Sequence, residues 1–137
     1  MKLSLKREKG KFGMKVLNQE GQSISFDANP GIGGEGFGVR PMEAVASSLA
    51  ACASIDVLLI LEKQKVVVEN YGVEIKASRV ESVPALFTNI DLEFSFTCNA
   101  SEDKLKRAVD LSMEKYCSVS KILEPTCRIE YSVRLSD

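Results

Sequence analysis

Cysteines are the side chains of this chain that are best suited to covalent chemistry. The sequence contains four, at positions 52, 98, 117 and 127, and no histidine. The lack of histidine excludes a Ser-His-Asp triad, a Cys-His pair and any imidazole-ligated metal. The four cysteines form no CxxC motif, and a zinc site would need all of them from separate elements. We therefore expect neither a metal nor an organic cofactor, and we consider thiol redox chemistry.

The cysteines fall into two pairs by their surroundings. Cys98 and Cys127 lie on the apolar faces of predicted strands, where a free cysteine behaves as a small buried hydrophobe. Cys52 and Cys117 lie on predicted helices. They are either core cysteines or a redox pair, in which one thiolate is oxidised to a sulfenic acid and the second thiol condenses with it.

The alternation of apolar and polar residues predicts an α+β fold in a single domain, residues 1–137. The order βββ-α-ββ-α(α)-β has no βαβ rhythm, so we expect sheets with mostly antiparallel pairing. The expected elements are a strand meander over residues 1–28, a Gly-rich loop over 29–41, a helix from Met42 to about Lys65, strands over 71–78 and 90–98, a helix from about 100 to 117 with an extension to Leu123, and a strand over 127–135.

The second long helix has its own start and periodicity. Asn99 is placed to cap it, with Glu102 as the partner in a capping-box-like pair. Apolar and small residues then follow helical spacing along one face: Leu105, Ala108, Val109, Ser112 and Tyr116.

The loop over residues 29–41 contains Gly31, Gly33 and Gly36 in the spacing of a dinucleotide fingerprint. The surroundings do not fit, because the preceding strands form a meander and the helix begins about five residues after the motif. We interpret the loop as a flexible connector.

The overall charge gives no attraction to nucleic acid or to an anionic membrane, since 18 basic residues face 19 acidic ones. The first residues lack a signal-peptide core, which predicts a cytoplasmic protein. Asp56 interrupts the longest apolar stretch and favours a buried helix over a membrane span. That helix is apolar almost all round, and 137 residues can hardly cover it. We therefore expect two copies to meet along it.

The segments GVRPMEAVASSLAACASIDV and, about 60 residues later, EKYCSVSKIL resemble the OsmC/Ohr family of thiol-dependent hydroperoxide reductases. The pattern is similar to a divergent, YhfA-like branch. The resemblance implies an OsmC-like fold in an intertwined homodimer with the long helices at its centre. It implies that Cys52 is the peroxidatic cysteine and Cys117 the resolving one. The implied reaction reduces a small organic hydroperoxide to an alcohol with electrons from an external dithiol.

One position departs from the family pattern. The family commonly has a glutamate ten residues before the peroxidatic cysteine, where this chain has Met42, and Glu43 follows one residue later. Glu43 and Cys52 are about 13 Å apart along one helix and on opposite faces, so Glu43 can contribute only across a dimer. The activating cation is expected to be Arg40, close to the helix start, or Arg7, by position.

An apolar substrate pocket is expected to favour alkyl peroxides over hydrogen peroxide. The residues predicted to line it are Met42, Leu49, Met113 and Tyr116. The substitution at Met42 also favours an alternative, a dimer without peroxidase activity that binds a small hydrophobic ligand. Other thiol chemistry, such as thiol-dependent hydrolysis or redox sensing, would use the same cysteines and stays open.

Overall fold

Strands and helices follow the predicted order in the computed structural model, which describes residues 1–136. A 3₁₀ turn, Pro30–Ile32, interrupts the Gly-rich loop, and a π-helical turn, Ser112–Tyr116, follows the second α-helix. The elements are β1 Ser4–Lys9, β2 Gly13–Leu17, β3 Ser23–Phe26, α1 Pro41–Lys63, β4 Val68–Arg79, β5 Phe87–Cys98, α2 Glu102–Leu111, α3 Ser118–Leu123 and β6 Arg128–Leu135.

The chain divides into two compact units, Met1–Val45 and a larger unit that begins at Ala46. A single domain over residues 1–137 stays a prediction, and Asp137 lies outside the described residues.

The first unit contains the predicted meander, with β2 paired antiparallel to both β1 and β3. Residues in register share a face, so Leu5, Val16 and Ile24 form one apolar row across the sheet. Arg7 lies on the same face, in register with Met14. Leu5 is 57% exposed and Ile24 is 43% exposed, so this unit leaves much of its apolar face uncovered.

The second unit contains a mixed sheet in the order β4-β5-β6. β4 and β5 pair antiparallel as expected, whereas β6 runs parallel to β5. The prediction of mostly antiparallel pairing is confirmed, and β6 is the exception, because the helical connection from α2 to α3 carries the chain across to a parallel strand. The core of this unit combines one face of β5 with α1 and α2, through Ile90, Leu92, Phe94, Phe96, Leu49, Ala53, Val57, Leu61, Leu105 and Val109.

The helix α1 has apolar residues on its exposed side as well as on its buried side, as predicted. Leu49, Ala53, Val57 and Leu61 recur every four residues and are buried. Ile55 is 62% exposed and Leu59 is 48% exposed. By length and composition alone α1 would also suffice to cross a membrane, a test that the core helix of a soluble protein passes too.

The start of α2 differs from the expectation. Ser101, not Asn99, is the N-cap residue, and its side chain makes no capping hydrogen bond. The Asn99 side chain instead accepts a hydrogen bond from the Val67 N–H at 3.1 Å and so ties the two ends of the β4–β5 hairpin together. Because the Asn99 side-chain oxygen is bonded to Val67, it does not cap α2.

Candidate active site

The two helix-borne cysteines meet in the structure. Cys52 lies half-buried in the middle of α1, and Cys117 is fully buried between the π turn and α3. Their thiols are free, and Cys117 Sγ contacts the Leu49 carbonyl at 4.0 Å, on the turn of α1 that carries Cys52. Cys98 and Cys127 are half-buried, so the expectation that both are small buried hydrophobes is confirmed only in part.

The π turn brings Cys117 to the buried face. The Cys117 N–H donates to the Ser112 carbonyl at 2.8 Å, a span of five residues instead of the four of an α-helix. Ser112 and Cys117 are each 0% exposed, whereas Tyr116 is 49% exposed. The helical spacing that grouped Tyr116 with the buried face was therefore wrong by one residue, because periodicity does not reveal a π turn.

The protonation of Cys117 follows from its surroundings. Its sulfur is the N-cap acceptor of α3 and receives the Ser120 N–H at 3.4 Å. Cys117 also ends the preceding helical segment, as expected, because it is the C-cap residue of the π turn. Burial raises the pKa of the Cys117 thiol to about 11, the Ser120 N–H opposes that rise, and the interaction with Cys52 adds to it. Cys117 is therefore a protonated thiol at neutral pH.

Arg40 and Glu43 form a pair at the start of α1, in the first unit. The Arg40 Nε donates to Glu43 Oε1 at 2.8 Å, the Arg40 Nη2 makes a further contact with that oxygen, and the Arg40 backbone N–H donates to Glu43 Oε2 at 2.9 Å. Glu43 thus caps α1. The hydrogen bond from Arg40 holds the pKa of Glu43 below its usual value, and the same bond raises the pKa of Arg40.

The residues predicted to line a substrate pocket differ in exposure. Leu49 and Met113 are buried, Met42 is half-buried and Tyr116 lies at the surface. Their common role in a pocket stays a prediction. One cavity, of about 450 Å³, is lined by other residues: Gln64, Ser101, Asp103, Lys104 and Arg107.

Asp27 is a structural residue that the sequence analysis missed. Its buried carboxylate accepts the N–H groups of Ala28 at 2.7 Å, Glu35 at 2.9 Å and Phe37 at 3.0 Å. These bonds, that from Phe37 first, lower the pKa of Asp27. The signal was an aspartate directly before a Gly-rich segment, since Asp side chains bond readily to nearby backbone groups.

The Gly-rich loop is consequently an ordered structure and not the flexible connector that we expected. The Asp27 N–H donates to Val39 O, and the Val39 N–H donates to Ser25 O, both at 3.1 Å, which closes the loop at its base. Two N–H groups of the loop, those of Glu35 and Phe37, are already bonded to the Asp27 carboxylate and are therefore not free to bind a phosphate. This arrangement agrees with the rejection of a dinucleotide site.

Comparison with known proteins identifies the family to which this chain is similar. Residues 33–132 match the family described as OsmC-like protein. The chain is 40% identical over 113 residues to Protein YhfA of Escherichia coli strain K12, which covers 82% of this chain and 81% of that protein. A hypothetical protein from Aquifex aeolicus VF5 has a TM-score of 0.81 at 27% identity, with 99% of this chain and 97% of that chain covered.

A more distant solved structure shares the fold. An organic hydroperoxide resistance protein OsmC from Legionella pneumophila has a TM-score of 0.68 at 18% identity, with 98% of this chain and 97% of that chain covered.

The fold and the paired cysteines define a protein of the OsmC-like class. The chain belongs to the OsmC-like family, and its similarity to YhfA fits the YhfA-like branch. The cytoplasmic location stays a prediction.

Proposed function

We propose that this protein reduces organic hydroperoxides, with Cys52 as the attacking thiolate and Cys117 as the resolving thiol. The observation that carries the proposal is the placement of the two thiols: Cys117, at the end of the π turn, contacts the Leu49 carbonyl on the turn of α1 that carries Cys52, and Cys52 raises the pKa of the Cys117 thiol. Cys52 is half-buried and Cys117 fully buried. An incoming peroxide would therefore meet Cys52 first.

The proposed reaction has two steps inside the protein. The Cys52 thiolate attacks the distal peroxide oxygen, the O–O bond breaks, and the alkoxide takes up a proton and leaves as the alcohol. Cys52 is then a sulfenic acid. The sulfur of Cys117 attacks the Cys52 sulfur, and the hydroxide released combines with the Cys117 proton to form water. An external dithiol reduces the resulting disulfide and is itself oxidised.

A thiolate at Cys52 needs a cation nearby, and we propose that a second copy of the chain supplies it. The candidates are Arg40, held by Glu43, and Arg7, which lies within the otherwise apolar face of the meander. A homodimer would also cover Ile55 and Leu59 of α1, which the single chain leaves exposed. Sedimentation at micromolar concentration should give about 30 kDa, twice the 15.0 kDa of the chain. A 15.0 kDa species would contradict this part of the proposal.

The deciding experiment is mass spectrometry after brief exposure of the reduced protein to cumene hydroperoxide, with hydrogen peroxide in parallel. We expect a loss of two hydrogens that maps to a Cys52–Cys117 disulfide and forms faster with the organic peroxide. Unchanged thiols in an excess of peroxide would refute the proposal.

A second candidate function is favoured by the start of α1. Met42 replaces the family carboxylate, and Glu43 is bonded to Arg40 of its own chain instead of being free for a peroxide site. In this case the dimer binds a small hydrophobic ligand and turns over no peroxide. Native mass spectrometry of gently purified protein should then show a bound mass, and its absence would argue against this candidate.

A further inference from the structure

The position of Cys117 depends on a helical register that is one residue longer than usual. The Cys117 N–H donates to Ser112 O across five residues, so the two side chains lie on one face of the π turn. In an α-helix that face would present Tyr116 instead. An α-helical continuation of α2 would move the Cys117 thiol away from α1. An interaction that favours the π register is therefore needed to keep the thiol in its place.

The same two residues are bonded to successive turns of α1. The Ser112 Oγ donates to the Ala53 carbonyl at 3.1 Å, and the Cys117 Sγ contacts the Leu49 carbonyl at 4.0 Å. Leu49 and Ala53 are four residues apart, and Cys52 lies between them. The π turn therefore meets α1 along the turn that carries Cys52.

The two contacts differ in strength. A thiol is a weak donor, and 4.0 Å is a long contact even for sulfur. The hydroxyl bond of Ser112 is shorter and fully buried, where a hydrogen bond is less weakened by water. Of the two contacts, the Ser112 bond is the one able to hold the turn in place.

We propose that Ser112 is a positioning residue: its hydrogen bond to the Ala53 carbonyl fixes the π turn and thereby holds Cys117 against Cys52. This inference rests on the proposed pairing of the two cysteines and adds the residue that makes the pairing possible. Ser112 itself does not touch the reacting atoms.

The test is the equilibrium between the reduced protein and glutathione disulfide, which yields the protein disulfide and two molecules of glutathione. Peptide mapping gives the oxidised fraction of the Cys52–Cys117 pair in buffers of known glutathione ratio. With Ser112→Ala we expect the equilibrium constant for disulfide formation to fall about fivefold, the effect of one lost hydrogen bond. Ser118→Ala is the control, because Ser118 is exposed and only six residues away; it should match the wild-type value.

A second pair of variants keeps the test decisive if Ser112→Ala folds poorly. Threonine and valine have nearly the same shape and differ in the hydroxyl. Ser112→Thr should close the disulfide more readily than Ser112→Val, about fivefold in the equilibrium constant. Hydrogen exchange at the Cys117 amide should be faster in Ser112→Val, since its bond to the Ser112 carbonyl would open more often.

The outcomes separate this inference from the proposed function, because glutathione exchange needs no peroxide. Equal constants for threonine and valine, or for the wild type and Ser112→Ala, would overturn the positioning role, as would a wild-type protein that forms no Cys52–Cys117 disulfide in any glutathione buffer. A normal disulfide equilibrium without peroxide turnover would refute only the proposed function.

Discussion

Asp27 and Cys117 both accept backbone N–H groups at the edge of a helix or turn, and yet their pKa values move in opposite directions. Asp27 accepts three such bonds, which outweigh burial and lower the pKa of its carboxyl. Cys117 accepts the Ser120 N–H, but burial dominates and raises the pKa of its thiol to about 11. The direction of each pKa shift depends on whether the hydrogen-bond donors stabilise the charged form more than burial destabilises it.

This difference separates a structural acceptor from a chemical one. The Asp27 carboxylate is charged over the whole neutral range and keeps the Gly-rich loop closed. The Cys117 thiol stays protonated at neutral pH, which suits a residue that reacts only after Cys52 has been oxidised. The first unit therefore supplies an ordered loop, and the second contains the two cysteines that we propose to react.

The largest expected effect comes from replacing the proposed nucleophile. Cys52→Ser should abolish cumene hydroperoxide turnover in an assay with a dithiol reductant, because a serine hydroxyl cannot replace the thiolate. Cys98→Ser is the matched control, since Cys98 is a half-buried thiol of the same unit. If Cys52→Ser turned over peroxide at the wild-type rate, the second unit would lose its role as the site of chemistry.

The protonation of Cys117 can be measured directly. Its alkylation by iodoacetamide should rise about tenfold per pH unit from pH 7 to 10 without a plateau, because only the thiolate reacts and the pKa is raised to about 11. Peptide mass spectrometry would follow Cys117 and the half-buried Cys127 in the same samples. A plateau for Cys117 below about pH 9 would mean that burial does not outweigh the Ser120 hydrogen bond.

The elements were largely predictable from the sequence because they rest on periodicity. Alternation located the meander and β5, and the apolar run located α1 to within about two residues at each end. The parallel pairing of β6 was not predictable in this way, since alternation carries no information on strand direction.

The candidate site was less predictable, because its geometry depends on single hydrogen bonds. The resemblance to a known family named Cys52 and Cys117, but the π turn that presents Cys117 follows from the bond between its N–H and Ser112 O. Likewise, the role of Asp27 depends on a loop that folds back onto it, which composition alone does not reveal.

The order of the loop can be tested with a pair of glycines. A Cβ at Gly34 would lie 1.9 Å from the Ala28 carbonyl oxygen, so Gly34→Ala must displace backbone. We expect it to lower the free energy of unfolding by about 2–4 kcal/mol. Gly21→Ala meets nothing within 4 Å, and with a φ of +82° it should cost only about 1 kcal/mol. Equal effects in thermal melts would mean that the loop is not tightly closed.

A smaller and pH-dependent effect is expected for Asp27→Asn. The lowered pKa means that Asp27 contributes stability above its unfolded pKa of about 3.8, and that this contribution is lost as the pH falls through the folded value. The variant should melt below the wild type at pH 7, on the order of 5 °C, and the gap should narrow in strongly acidic buffer. A gap that stayed constant down to pH 2 would assign the effect to packing instead of charge.

The smallest effect on stability is expected for Glu43→Gln. The Arg40–Glu43 pair is half exposed, and exposed ion pairs contribute little. The melting temperature should therefore change by only about 2 °C, as for Glu124→Gln, which removes an ion pair with Lys121 of the same spacing and side-chain exposure. If Glu43 holds Arg40 for a partner's Cys52, peroxide turnover should fall in Glu43→Gln and not in Glu124→Gln. Equal turnover in both variants would leave Glu43 as a helix cap and direct the search for the activating cation to Arg7.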